Sequence, residues 1–157
     1  EERHAREDVR AIVQSTQVGD ALRFRVIQYT QQCRGTTHPL ELLGAPDLDP
    51  AALLATMNAL APEWLDGCRL RACWFEPTFN KHVGKLCHGL HIHTESPAYD
   101  HRAFRPWRVQ ALALKAIRRL YPGYPLWRDF PYEYEKDRLA IDVINGSPLL
   151  REWVDDA

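Results

Sequence analysis

Residues 106–121 limit the possible folds of this chain more than any other segment. Val109, Leu112, Ala113, Ala116, Ile117 and Leu120 recur at helical spacing and make one continuous apolar stripe, while Arg108, Lys115, Arg118 and Arg119 lie off it. Pro106 suits the first turn of such a helix, and Pro122-Gly123 ends it. A helix with one apolar stripe is stable only against another layer of structure, which the rest of the chain has to supply.

Residues 68–75 (CRLRACWF) and 87–93 (CHGLHIH) alternate with the period of half-buried strands. In the second, Leu90 and Ile92 share one face, and His91 and His93 share the other. Residues 21–29 (ALRFRVIQY) alternate similarly, with Leu22, Phe24 and Val26 opposed to Arg23 and Arg25. Asp49-Pro50 predicts a capped helix start, followed by Leu53, Leu54, Met57 and Leu60 at helical spacing up to Pro62. Shorter helices are predicted over 5–15, around 137–144 with Asn145-Gly146 as the stop, and over 148–155 with Ser147 as the cap. Residues 124–136 read as an aromatic loop or edge strand. No repeat, low-complexity stretch or long linker divides the chain. With 157 residues, 45% of them hydrophobic, the expectation is a single α+β domain over 1–157: a small mixed or antiparallel sheet packed with two to four helices.

Charge narrows the functional classes. The net charge is −1, and positive residues are interspersed with negative ones, so no basic stripe exists to follow a phosphate backbone and no nucleic-acid partner is expected. No apolar run approaches the roughly 18 to 20 residues of a membrane span, and EERHAREDVR has no signal-peptide core. The chain opens on Glu1 rather than Met, and the expectation is a domain taken from a longer bacterial enzyme. Cys33, Cys68, Cys73 and Cys87 show no CxxC spacing and are expected to be free, mostly buried thiols.

Four constellations carry chemistry. The stretch His82, Cys87, His88, His91, His93 could hold zinc through His91 and His93 with Cys87 or a carboxylate, although it matches no standard zinc motif; polar strand residues facing solvent or a cleft is the plainer reading. Cys87 with a nearby histidine could form a thiol nucleophile, but one strand cannot place the thiol against its own neighbours, so a structural cysteine is expected. The loop Arg34-Gly35-Thr36-Thr37-His38-Pro39, with Glu41 behind it, concentrates a guanidinium, two hydroxyls, an imidazole and a carboxylate suited to sugar hydroxyls and carboxylates. Its plainer reading is a turn capped by Thr36 or Thr37 before a helix. Glu76, Glu95, Asp100 and Glu133 are carboxylates of the kind a glycosidase pairs across the scissile bond, or else solvated surface.

Taken in order, three segments resemble a known family. Arg34, Gly35, Thr36, Pro39, Gly44, Ala45 and Pro46 fit a GRGT-x-x-PF-x-x-x-GAP pattern. Phe75, Pro77, Lys81, His82, Gly84, Cys87 and Gly89 fit F-x-P-x-x-x-KH-x-G-x-x-C-x-G, and Asp137, Leu139, Gly146, Leu150 and Arg151 follow in order the residues of a later D-x-L-x-G-x-x-x-LR stretch, with a longer gap between Leu139 and Gly146. Over about residues 33–155 the chain is similar to the C-terminal half of the NamZ-type (YbbC-like) exo-β-N-acetylmuramidases. Residues 1–32 do not match, and Cys33 stands where the pattern has glycine. The resemblance implies removal of terminal N-acetylmuramic acid from peptidoglycan fragments, with no metal and no organic cofactor. It implies a Rossmann-like N-terminal domain, absent from this chain, that holds the principal carboxylate, and a periplasmic or secreted parent protein. Arg34, Thr36 and Thr37 would then bind the lactyl carboxylate or sugar hydroxyls, with Glu41, His82, His91 and His93 as candidates for orienting or proton-handling roles. Two other readings stay open. One is a non-catalytic glycan-binding or domain-docking module using the aromatic loop, with Trp127 or Tyr132 stacking on sugar. The other is a zinc hydrolase built on His91 and His93.

Overall fold

The structure, a computed structural model, describes residues 36, 38, 41–79, 81–127, 132 and 135–156. The helix expected over 5–15 and the strand over 21–29 lie outside those residues. The described part is α+β, as expected. β1 (Leu42–Ala45), β2 (Arg69–Phe75) and β3 (Cys87–His93) form an antiparallel sheet in the order β1-β3-β2. Four α-helices accompany it: α1 (Pro50–Leu60), α2 (Pro106–Leu120), α3 (Ala140–Asn145) and α4 (Leu149–Asp155), with a 3₁₀ turn over Pro62–Leu65.

The two faces of the sheet differ as the alternation of β3 requires. Leu43, Leu90 and Ile92 join the hydrophobic core, and Leu70 packs against it. His91 and His93 take the opposite parity, across from their register partners Arg71 and Arg69. β1, which was not singled out in the sequence, lies between the RGTTHP segment and α1. All four of its residues are buried, so its sequence has no alternation to read.

Of the predicted stripe of α2, Val109, Leu112, Ala113, Ala116 and Ile117 are inside and Leu120 is half-buried; Gln110, Ala111 and Leu114 are buried as well, and α2 packs against both α1 and α4. Asp49 caps α1 as expected, its Oδ1 accepting from the N–H groups of Ala51 and Ala52 at 2.9 and 3.1 Å. Leu53, Met57, Leu112, Ile117 and Val154 form the fully buried centre. Trp64 stacks on Trp153 at 5.7 Å and meets Trp107 edge-on at 5.9 Å, so three of the five tryptophans fasten helices and turns to the core.

Two expected boundaries shift. α3 begins at Ala140 rather than near 137, and it ends at Gly146 in the left-handed conformation that glycine tolerates. Ser147 does not cap the last helix. Pro148 occupies the cap position, while the carbonyl and hydroxyl of Ser147 both accept from the Asn145 amide at 3.0 and 3.2 Å. Among the described residues of 124–136, the only pairing is an isolated bridge between Tyr132 and Glu135. No helix among the described residues is long and apolar enough to cross a membrane.

Candidate functional site

The β1–β3 register sets Leu42 opposite His91, and the Ile92 N–H donates to the Glu41 carbonyl at 2.7 Å. Glu41 is thereby pinned at the end of β1 beside the polar face of β3. Upstream, a turn closes through Glu41 N–H to the His38 carbonyl at 3.3 Å, and the Thr36 hydroxyl accepts from the His38 N–H at 3.4 Å. The result brings two sequence constellations together. Glu41 Oε2 lies 3.1 Å from His38 Nδ1 and 3.3 Å from His91 Nε2. Each imidazole donates to that oxygen when the facing nitrogen carries its proton. His91 and His93 lie ring against ring, their centroids 3.9 Å apart.

Electrostatics at the cluster favour uncharged imidazole at its inner member. Burial, then the neighbouring His91 and Arg71, hold His93 below its ordinary value, against the opposing pull of Glu41 and Glu95. The folded chain therefore takes up a proton at His93 less readily than the unfolded chain does. Stability from this residue is present above about pH 6.5 and is lost as pH falls through that value toward the lower folded one. Denaturation midpoints should fall on acidification through this window, and the fall should be shallower in His93→Gln. An equal slope in both proteins would rule this residue out as the cause.

The donors offered by His38, Glu41 and His91 all lie within 4.8 Å of one another. Two imidazoles and a carboxylate are a donor set that zinc accepts. The expected set differed. His93 stacks beside this group, and Cys87 stands four residues from His91 along β3, about 13 Å of extended strand. Cys87 is fully buried, and burial raises its pKa, as it does those of Cys73 and Cys68, the last to about 11. These three thiols are free and poorly suited to nucleophilic work, which agrees with the structural reading of Cys87. Cys33 lies outside the described residues.

The remaining candidates separate. Arg34, Thr37 and Glu133 lie outside the described residues; Thr36 sits beside the cluster through the His38 turn. His82 does not join it. It occupies the β2–β3 connection and lines a separate concavity of about 530 Å³ with Asp47, Lys81, Tyr121 and Tyr124. Of the described carboxylates of that set, Glu76 and Asp100 are exposed, and Asp100 accepts at Oδ1 from the Arg102 N–H at 2.8 Å, while Glu95 acts electrostatically on the cluster through His93. Trp127 is half-buried, and its indole N–H donates to both oxygens of Asp155 at 3.0 and 2.9 Å, so it is tied to α4 rather than presented as a stacking platform. The concavity's Asp47, Tyr121 and Tyr124 escaped sequence reading because three separate connections supply its walls.

Comparison with known proteins agrees with the resemblance. The chain matches the family described as exo-beta-N-acetylmuramidase NamZ, C-terminal, over residues 28–157. It is 40% identical over 89 residues to the peptidoglycan beta-N-acetylmuramidase NamZ of Bacillus subtilis (strain 168), a match covering 57% of this chain and 20% of that protein. Its fold is similar to the crystal structure of a DUF1343 family protein from Bacteroides fragilis NCTC 9343, with a TM-score of 0.60 at 18% identity, covering 82% of this chain and 31% of that one. The chain thus spans about a fifth of the curated relative's length and about a third of the solved one's.

Proposed function

The chain belongs to the C-terminal family of the NamZ exo-β-N-acetylmuramidases, and from that membership we propose that it forms one wall of the sugar cleft in a glycosidase that removes terminal N-acetylmuramic acid from peptidoglycan fragments. The observation that carries this reading is the convergence of Glu41 with His38 and His91, beside His93. A carboxylate braced by two N–H donors is held in one orientation, which suits it to accept a hydroxyl or amide of a bound sugar. His91 and His93 orient Glu41 and the ligand, or carry a proton, while Arg34, Thr36 and Thr37 bind the lactyl carboxylate or ring hydroxyls. The principal catalytic carboxylate comes from an N-terminal Rossmann-like domain outside these 157 residues. No cofactor is required on this reading.

The test is release of the terminal sugar from a chromogenic N-acetylmuramic acid glycoside by the full-length protein that carries this sequence. Arg34→Ala and Glu41→Gln should each lower kcat/KM by about tenfold to a hundredfold while the fold survives. An inactive full-length protein sinks the muramidase reading and favours a non-catalytic binding module. A second reading, a zinc hydrolase, is favoured by the three converging donors alone. Stoichiometric zinc in the purified protein, with activity lost to chelator and restored by the metal, would replace the first reading with this one.

A further inference from the structure

We propose that the concavity around His82 is a second pyranose-binding station, separate from the Glu41 cluster. The inference rests on the glycan reading above for the identity of its ligand. At about 530 Å³ the concavity has room for a sugar ring, falling within the roughly 300 to 1,000 Å³ usual for small-molecule sites. Its walls are stiff. Tyr121 closes the end of α2 through its N–H to the Ile117 carbonyl, and its hydroxyl accepts from the Asp49 N–H at 3.0 Å. The Tyr124 N–H donates to the Tyr121 carbonyl at 2.9 Å, and Arg118 donates to the carbonyls of Pro122 and Tyr124 at 2.8 and 3.0 Å. The two phenol rings lie 6.5 Å apart, that of Tyr121 held through its hydroxyl and that of Tyr124 carried on a restrained backbone.

On the same lining His82 adopts φ 62°, a left-handed conformation in which the structure otherwise places only glycine among the described residues. Nothing in the turn itself calls for an imidazole there, since glycine would adopt this φ at lower cost. A strained side chain at the lip of a cavity is the kind of outlier that function retains. Burial, together with Lys81 and Lys85, keeps His82 below its ordinary pKa, so at neutral pH its ring offers one donor and one acceptor. Burial, then the Asp47 charge, raise the Tyr124 pKa, so its phenol remains a donor. Asp47 brings an acceptor and Lys81 a cation, opposite charges that favour a ligand with little net charge. Apolar faces beside mixed donors and acceptors match a pyranose, which has a C–H face and a hydroxyl edge. A polyphosphate would meet Asp47 with only one lysine on the lining to offset it.

The experiment is an amide NMR titration of the 157-residue chain with the methyl β-glycosides of N-acetylglucosamine and N-acetylmuramic acid. Saturable shifts are expected at residues 82–85 and 121–126. His82→Gly removes the imidazole while suiting the turn, and Asp47→Asn removes the charge; each should weaken these shifts' apparent affinity about tenfold, equivalent to losing about 1.4 kcal/mol of contact. Shifts confined to the Glu41 and His91 amides, or His82→Gly and Asp47→Asn proteins that bind like the parent, overturn the second station and leave the cleft reading standing. No saturable shift at either place, in a chain whose spectrum shows it folded, overturns both.

Discussion

Gly89→Ala is expected to destabilise the domain by about 3 kcal/mol or more, a cost at the upper end of what overpacking produces. Gly89 lies on the central strand directly opposite Gly44 of β1. A methyl group at Gly89 would sit 1.9 Å from the Leu43 carbonyl oxygen and 2.6 Å from the Gly44 Cα. Both obstacles are backbone, so no rotamer change relieves the clash and the strands have to part. Parting them strains the pairing of Leu43 with Leu90 and of Leu42 with His91, and through the latter the placement of Glu41 against His91. Urea unfolding should show a lower midpoint with an unchanged slope. Gly123→Ala is the control: an added methyl there meets nothing within 4 Å, and its cost should stay within about 0.5 kcal/mol. Equal midpoints for the two variants would show that β1 and β3 are not held at this close approach.

The Gly44–Gly89 contact also marks where sequence reading stops. α2 was legible because its stripe repeats over the twelve residues Val109–Leu120, with Arg108, Lys115, Arg118 and Arg119 off it. β3 was legible at its true bounds because imidazoles alternate with Leu90 and Ile92. β1 was not, because a four-residue strand buried throughout carries no period, and its partner lies far along the chain. The site follows the same logic. Its parts were visible as a polar turn and a histidine-rich strand, but the Glu41–His91 contact spans 50 residues, and only the pairing of β1 with β3 creates it. His82 belonged by sequence to the histidine-rich stretch, yet a turn at the other end of β3 carries it toward Asp47 and the tyrosines. Sequence proximity put it with the wrong neighbours.

Arg151→Ala is expected to cost about 2 to 3 kcal/mol, because it strands a buried charge. Arg151 was visible in the sequence only as part of a resemblance pattern; its place in the fold gives it a structural task. Its Nε donates to both oxygens of Asp142 at 3.0 and 3.1 Å, and Nη2 donates to Oδ2 at 2.9 Å. The pair ties α4 to α3, and Asp142 is only 7% exposed. The carboxylate hydrogen bonds also raise the guanidinium's already high pKa, so the cation persists throughout the usable pH range. Distance does not set the expected cost. Arg138 and Glu135 approach to 2.6 Å, closer than Arg151 and Asp142, but that pair is open to solvent and its removal should leave the midpoint where it was. A double-mutant cycle separates the terms. Asp142→Leu alone leaves a partly buried guanidinium unpaired, while Arg151→Met with Asp142→Leu removes both charges and should recover most of the loss. A coupling of at least about 1 kcal/mol is expected between these neighbours. Additive costs would mean that α3 and α4 are held by Ile141, Leu150 and Val154 alone, with Arg151 left for some other task.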